Sequence, residues 1–225
     1  MNTQLTSMNQ TMTNLEPIRF DAPGTEPIMQ VVADWTKGLP IFKGQRMILR
    51  ELVKSDATTL LTMLASEEVA KFISPPPTTP EGFEKFIAWA IRGREAGNQM
   101  MFGIVPEVFD HAVGLVQIRA IAPRFSVAEW GFAIGSPFWG TGLFLASAKT
   151  AVDFAFQHTD VNRLEARAVV QNGRGNGALR KMGAVQEGVL RGSLLRDGKH
   201  LDQIMWSIVA RDWFQAKAVW DKPVN

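Results

Sequence analysis

The apolar positions divide the chain into short strands and helices with distinct periods. Residues 46–53 (RMILRELV) alternate as a strand, and Ser55 or Asp56 is placed to cap a helix carrying Leu60, Leu61, Met63 and Leu64. Pro75, Pro76 and Pro77 must break that helix, because proline lacks the N–H donor and restricts the residue before it. Thr79, Pro80 and Glu81 supply a second helix start, after which Phe83, Phe86, Ile87, Ala90 and Ile91 recur on one helical face. Gly97 is placed to end it. Residues 100–105, 111–121 and 127–134 read as strands, with intervening turns short enough for antiparallel hairpins. A helix over 142–156 puts Leu145, Ala148, Val152 and Ala155 on one face. A strand over 164–170 and a short helix over 174–182 follow, the latter ending at Gly183. Final strands over 185–190 and 201–209 flank Asp197-Gly198, a strong hairpin-turn pair. The order predicts an α+β domain, a mixed sheet with helices on its faces.

The flanks follow other rules. Residues 1–14, rich in Thr, Asn and Gln, read as a mobile tail. Residues 15–43, with Pro17, Pro23, Pro27 and Pro40, read as an extended arm laid on the domain. The compact domain is expected over 44–212, with 213–225 as a C-terminal extension. Composition then narrows the chemistry. With no Cys there is no disulfide, thiolate zinc site or cysteine nucleophile, and with no Tyr there is no phenolic acid. A net charge of +2 is too small to argue for direct nucleic-acid binding. The most apolar long stretch, 142–156, is interrupted by Lys149 and Asp153 and falls short of the roughly 20 residues a membrane span needs. No signal-type start is present, so a cytoplasmic location is expected. His111, His158 and His200 show no ligand spacing, and no metal is expected.

Three segments carry candidate chemistry. In 135–144 (GSPFWGTGLF), Gly140 and Gly142 remove side chains where a helix begins, exposing N–H groups that can cradle a phosphate; a merely tight connection is the alternative. In 172–183 (NGRGNGALRKMG), Asn172 ends a strand, and Arg180 and Lys181 suit either a phosphate or the negative end of their own helix. In 127–135 (VAEWGFAIG), Glu129 is a carboxylate in an apolar strand, turned to solvent or into a cleft.

In this order the pieces resemble the GNAT N-acetyltransferase superfamily, specifically its RimJ/RimL type. The resemblance spans about 44–209 and rests on LREL (49–52) with Asp56, AEWGFAIG (128–135), WGTGL (139–143), Asn172 with Gly183, EGVLR (187–191) and DGKHLD (197–202). It implies a mostly antiparallel twisted sheet flanked by helices, with acetyl-CoA as co-substrate. It also implies roles for particular residues. Trp139, Gly140, Thr141, Gly142 and Leu143 would hold the coenzyme A pyrophosphate on backbone N–H groups. Phe132, Ala133 and Ile134 would pair with the pantetheine arm. Asn172 and Asn176 would contact the cofactor, with Arg180 near phosphate. Glu129 would be the base beside the acceptor amine. Three positions depart from the family pattern: Pro137 replaces a Gln or Arg, Gly175 a Ser, and Ala184 a Phe. The expected activity is acetyl transfer to a primary amine, a protein N-terminal α-amine foremost, by direct attack in a ternary complex. A small-amine acetyltransferase and a non-catalytic acyl-CoA-binding module are the alternatives.

Overall fold

The computed structural model describes residues 28–29, 34–44 and 46–220; the expected tail and most of the arm lie outside the described residues. The strands among them are β1 (Ile28–Met29), β2 (Phe42–Gly44), β3 (Met47–Glu51), β4 (Gln99–Pro106), β5 (Gly114–Ala120), β6 (Val127–Ile134), β7 (Arg163–Val169), β8 (Val185–Arg196) and β9 (Lys199–Val209). They form one sheet in the order β1-β2-β3-β4-β5-β6-β7-β9-β8. The helices are α1 (Ala57–Leu64), α2 (Glu67–Ala70), α3 (Pro80–Glu95), α4 (Leu143–His158), α5 (Gly173–Lys181) and α6 (Ala210–Trp220). Neighbouring strands are antiparallel except β6 and β7, which are parallel because α4 carries the chain back between them.

The sheet has two unlike faces. Phe102 of β4 meets Phe42 and Phe154 with ring centroids 6.0 and 5.8 Å apart, which seats α4 on one face. Opposite it, Gln99 donates to the Ala90 carbonyl of α3 at 3.2 Å, and Gln117 donates to Gln99 at 3.2 Å. Thr79 caps α3 as its sequence predicts, its hydroxyl accepting from the Gly82 N–H at 3.1 Å. Phe83, Ile87 and Ala90 are buried.

Several elements differ from the sequence expectation. Strand pairing starts upstream of Gly44, because β2 pairs with β3 and buries Phe42 along with Leu39. Asp56 does not cap α1 with its side chain. Its carboxylate is fully buried, where it accepts both nitrogens of Arg50 at 2.8 and 2.9 Å and the N–H groups of Val53 and Ala112. Burial would raise its pKa, but these hydrogen bonds outweigh it and the net direction is down. Strands β8 and β9 run right up to Asp197 and Gly198, whose φ values of 49° and 74° are those of a tight hairpin turn. The expected C-terminal extension begins inside α6. Trp213 is buried there and donates to Asp153 at 3.1 Å, and Lys217 reaches the same carboxylate at 2.5 Å. Asp153, an interruption in the apolar pattern, is thus the anchor of α6 on α4.

Candidate active site

The cleft is created by how β6 and β7 part. Their parallel pairing covers Val127 with Arg163, Ala128 with Leu164 and Glu129 with Glu165. Beyond that point Trp130 to Ile134 pair with β5, and Ala166 to Val169 pair with β9. The β7-facing backbone edge of Gly131, Phe132 and Ala133 is therefore left without a strand partner, and an extended ligand can hydrogen-bond there. Phe132 is half-buried and its ring lies 4.2 Å from that of Phe144, tying the end of β6 to the first turn of α4; Ala133 and Ile134 are buried. What these three residues offer a ligand is backbone.

The β6–α4 connection forms the second wall. Pro137 sits in a short 3-10 turn over Ser136–Phe138, and the buried Phe138 pins it. Trp139 donates its indole N–H to the Ile134 carbonyl at 3.1 Å. Gly140 and Gly142 then take φ values of 77° and 84°, which residues with a Cβ rarely adopt. The Thr141 hydroxyl is engaged inside the turn, donating to the Phe138 carbonyl at 2.8 Å and accepting from the Leu143 N–H at 3.3 Å. Among the described residues nothing accepts from the N–H groups of Gly140, Thr141 or Gly142. A Cβ built on Gly140 would meet no atom within 4 Å, so this surface is open. These donors and the positive end of α4 fit a phosphate-bearing cofactor.

The α5 residues divide between scaffold and site. Asn172 caps α5, accepting from the Gly175 N–H at 2.8 Å. Its amide lies against Gly175 so closely that a Cβ there would fall 2.4 Å from Nδ2, so a side chain at 175 would have to shift the Asn172 amide. Asn176 departs from its expected cofactor role. It is buried, donates to the carbonyls of Val169 and Asn172 at 2.9 Å each, and accepts the Trp206 indole N–H at 2.9 Å. Its amide hydrogens are engaged in joining β7 to α5. Arg180 is exposed, over the Trp206 ring at 5.7 Å, on α5 itself. Arg174, which spacing did not single out, is exposed with its guanidinium 4.4 Å from the Trp139 ring centroid.

On the opposite face, Gln99, Arg119, Glu129, Glu165 and Ser207 stand in register across five strands. Glu129 accepts from Arg119 at 2.7 Å through Oε2, with a third of its side chain exposed; Oε1 has no partner among the described residues. The next residue of β6 on this face, Gly131, is exposed, and a Cβ there would meet nothing within 4 Å. Glu129 thus borders open space where the strands diverge. Beside it, Arg163 donates to Glu165 at 2.8 Å and to both oxygens of Glu187 at 2.7 and 2.5 Å. The Arg163 contact and a hydrogen bond from Ser207 pull the Glu187 carboxyl down to about 2. The end of β8 is tied to the segment around α2, since Arg196 donates to the carbonyls of Ile73 and Ala70 at 2.5 and 2.7 Å. No metal-binding group of three His, Asp or Glu exists among the described residues, and no helix there is long and apolar enough to cross a membrane.

A splayed parallel strand pair beside a glycine-rich helix start forms the cleft, and comparison with known proteins gives the class of enzyme. The family model for the acetyltransferase (GNAT) domain matches residues 46–185, over half of the chain; the chain belongs to this family and is an N-acetyltransferase. It is 25% identical to the uncharacterized N-acetyltransferase p20 of Bacillus licheniformis, over 75% of this chain and 96% of that protein. It is 26% identical to the uncharacterized N-acetyltransferase YoaA of Bacillus subtilis (strain 168), over 76% of this chain and 97% of that one. Among solved structures, the ribosomal-protein-S5-alanine acetyltransferase of Vibrio fischeri shares the fold with a TM-score of 0.69 at 21% identity, covering 77% of this chain and 98% of its own. RimL, the ribosomal L7/L12 α-N-protein acetyltransferase in complex with coenzyme A, shares it with a TM-score of 0.67 at 19% identity, covering 74% and 95%.

Proposed function

We propose that this N-acetyltransferase transfers the acetyl group of acetyl-CoA to the α-amine of a protein or peptide N-terminus, by direct attack in a ternary complex. The observation that carries the reading is Glu129, a carboxylate with one free oxygen, at the point where β6 and β7 part and beside the open surface at Gly131. Acetyl-CoA supplies an activated acetyl thioester. The N–H groups of Gly140, Thr141 and Gly142 bind its pyrophosphate, and the free edge of Gly131, Phe132 and Ala133 orients its pantetheine arm and stabilises charge on the thioester oxygen. Asn172 fixes the start of α5 beside them. Glu129, directly or through a water, takes the proton that the acceptor ammonium must lose. The neutral amine then forms the N–C bond at the thioester carbonyl, the C–S bond breaks, and coenzyme A leaves as a thiolate that is protonated to the thiol from the attacking nitrogen or solvent. Arg119 holds that carboxylate in place, and no cysteine is available for an acetyl-enzyme.

The preference for an α-amine follows from proton chemistry. At pH 7 roughly 10% of an ordinary α-amine is neutral, against about 0.04% of a lysine side chain. A lysine-directed site must recover a few hundred-fold in rate, and one carboxylate without Tyr or Cys gives it little acid–base equipment for that. The ribosomal-protein acetyltransferases among its structural neighbours support a protein acceptor. The test is rapid mixing of the protein with acetyl-CoA, with and without a peptide amine, following release of the coenzyme A thiol. Thiol should appear when the amine is present and not before. A stoichiometric burst without amine would overturn direct transfer, and turnover confined to polyamines or amino sugars would overturn the protein acceptor.

A further inference from the structure

Two arginines of α5, Arg174 and Arg180, meet only an indole ring among the described residues, and the Arg174 contact is the closer, 4.4 Å against 5.7 Å, and lies on the indole next to the glycine turn. Arg119, Arg163 and Arg196 are each committed to carboxylates or carbonyls. Arg174, in the first turn of α5, has no hydrogen bond or ion pair with any described residue, and its guanidinium lies over the Trp139 ring. That indole is itself held, its N–H bonded to the Ile134 carbonyl at 3.1 Å. The residues directly after it are Gly140 and Thr141, whose N–H groups have no acceptor among the described residues. A rigid aromatic platform thus holds a planar, permanently charged fork beside a row of unused donors. Stacking leaves the in-plane N–H groups free for a bidentate acceptor, and phosphate oxygens match that geometry.

We propose that Arg174, stacked on Trp139, binds a phosphate of coenzyme A and makes α5 part of the phosphate site. This rests on the proposed function, since it names a residue for the same cofactor. The phosphate is either the pyrophosphate on the Gly140–Gly142 turn or the ribose 3′-phosphate, and dephospho-coenzyme A distinguishes them. A charge-assisted pair of this kind contributes about 10- to 100-fold in affinity.

The experiment is calorimetric titration of the intact chain, Arg174→Gln and Arg174→Lys with coenzyme A and with 3′-dephospho-coenzyme A. Arg174→Gln should raise the Kd for coenzyme A at least tenfold, and Arg174→Lys should recover part of the loss, since it keeps the charge but not the fork. If the loss persists with the dephospho form, the partner is the pyrophosphate; if it vanishes, the partner is the 3′-phosphate. A parent that binds coenzyme A alongside an Arg174→Gln variant within twofold of it overturns this inference and leaves the function standing. A parent that binds no coenzyme A overturns both.

Discussion

Gly142→Asp separates folding from cofactor binding. Gly142 precedes α4 with a φ of 84°, and an L side chain in the left-handed region costs about 1–2 kcal/mol, Asp at the lower end. Asp is also a favoured helix cap, a few tenths better than Gly. Its charge at the positive end of a helix contributes a further 0.3–1 kcal/mol or so. These terms nearly cancel, so the melting temperature without ligand should stay within about 4 °C of the parent. Binding should respond differently. Two negative charges about 4 Å apart repel by about 4 kcal/mol at an effective dielectric constant of 20, or roughly a thousandfold in Kd. At 100 times its Kd, coenzyme A should stabilise the parent by about 2.7 kcal/mol, and the same concentration should leave Gly142→Asp unmoved. Thermal unfolding and calorimetry with and without coenzyme A measure both quantities. A folded variant whose Kd lies within threefold of the parent would refute the phosphate site at this turn.

Glu129→Gln keeps size and hydrogen bonding but removes the proton acceptor, and should slow acetyl transfer by about 10²–10⁴-fold where chemistry limits the rate. Loss of less than fivefold in steady-state assays would leave Glu129 an orienting residue. Acid should destabilise the fold through Asp56 and Glu187. Both carboxyls are held below their ordinary values of 3.8 and 4.5, so the unfolded chain binds more protons and stability rises with pH. The Glu187 contribution is present above about pH 4.5 and is lost as pH falls toward about 2, and Asp56 adds to the loss below 3.8. In urea melts across that range Asp56→Asn should show a shallower acid dependence and cost about 3–5 kcal/mol at neutral pH, because Arg50 is left without its buried partner. An unchanged pH profile would count against the pair.

Local rules reached most of the elements because each is specified by its own neighbours. The strand over 127–134 falls where its alternation puts it, and Thr79 caps α3 through the hydroxyl that its position suggests. The glycine turn is legible for the same reason, since positive φ at Gly140 and Gly142 is written in the residue type. What escaped depends on contacts between distant segments. Glu165 stands beside Glu129 through a parallel pairing that no spacing along the chain encodes. Arg174 meets Trp139 across two helix starts, and its type alone suits solvent equally well. Asn176 carries the amide a ligand could use, yet Trp206 of β9 and the carbonyls ending β7 take it. Asp56 has the chemistry of a helix cap, and tertiary contacts to Arg50 and Ala112 outcompete that local role.

The central claim is acetyl transfer to an α-amine, and a pair of peptides tests it most directly. One has a free N-terminus and no lysine; its twin is N-terminally blocked and carries a single lysine. Initial rates with acetyl-CoA at pH 7, with the product's modified nitrogen located by mass spectrometry, should show transfer to the free α-amine and at most about a hundredth of that rate to the blocked twin. Faster acetylation of the blocked, lysine-bearing peptide would contradict the α-amine assignment, and no transfer to either would remove the protein N-terminus as acceptor.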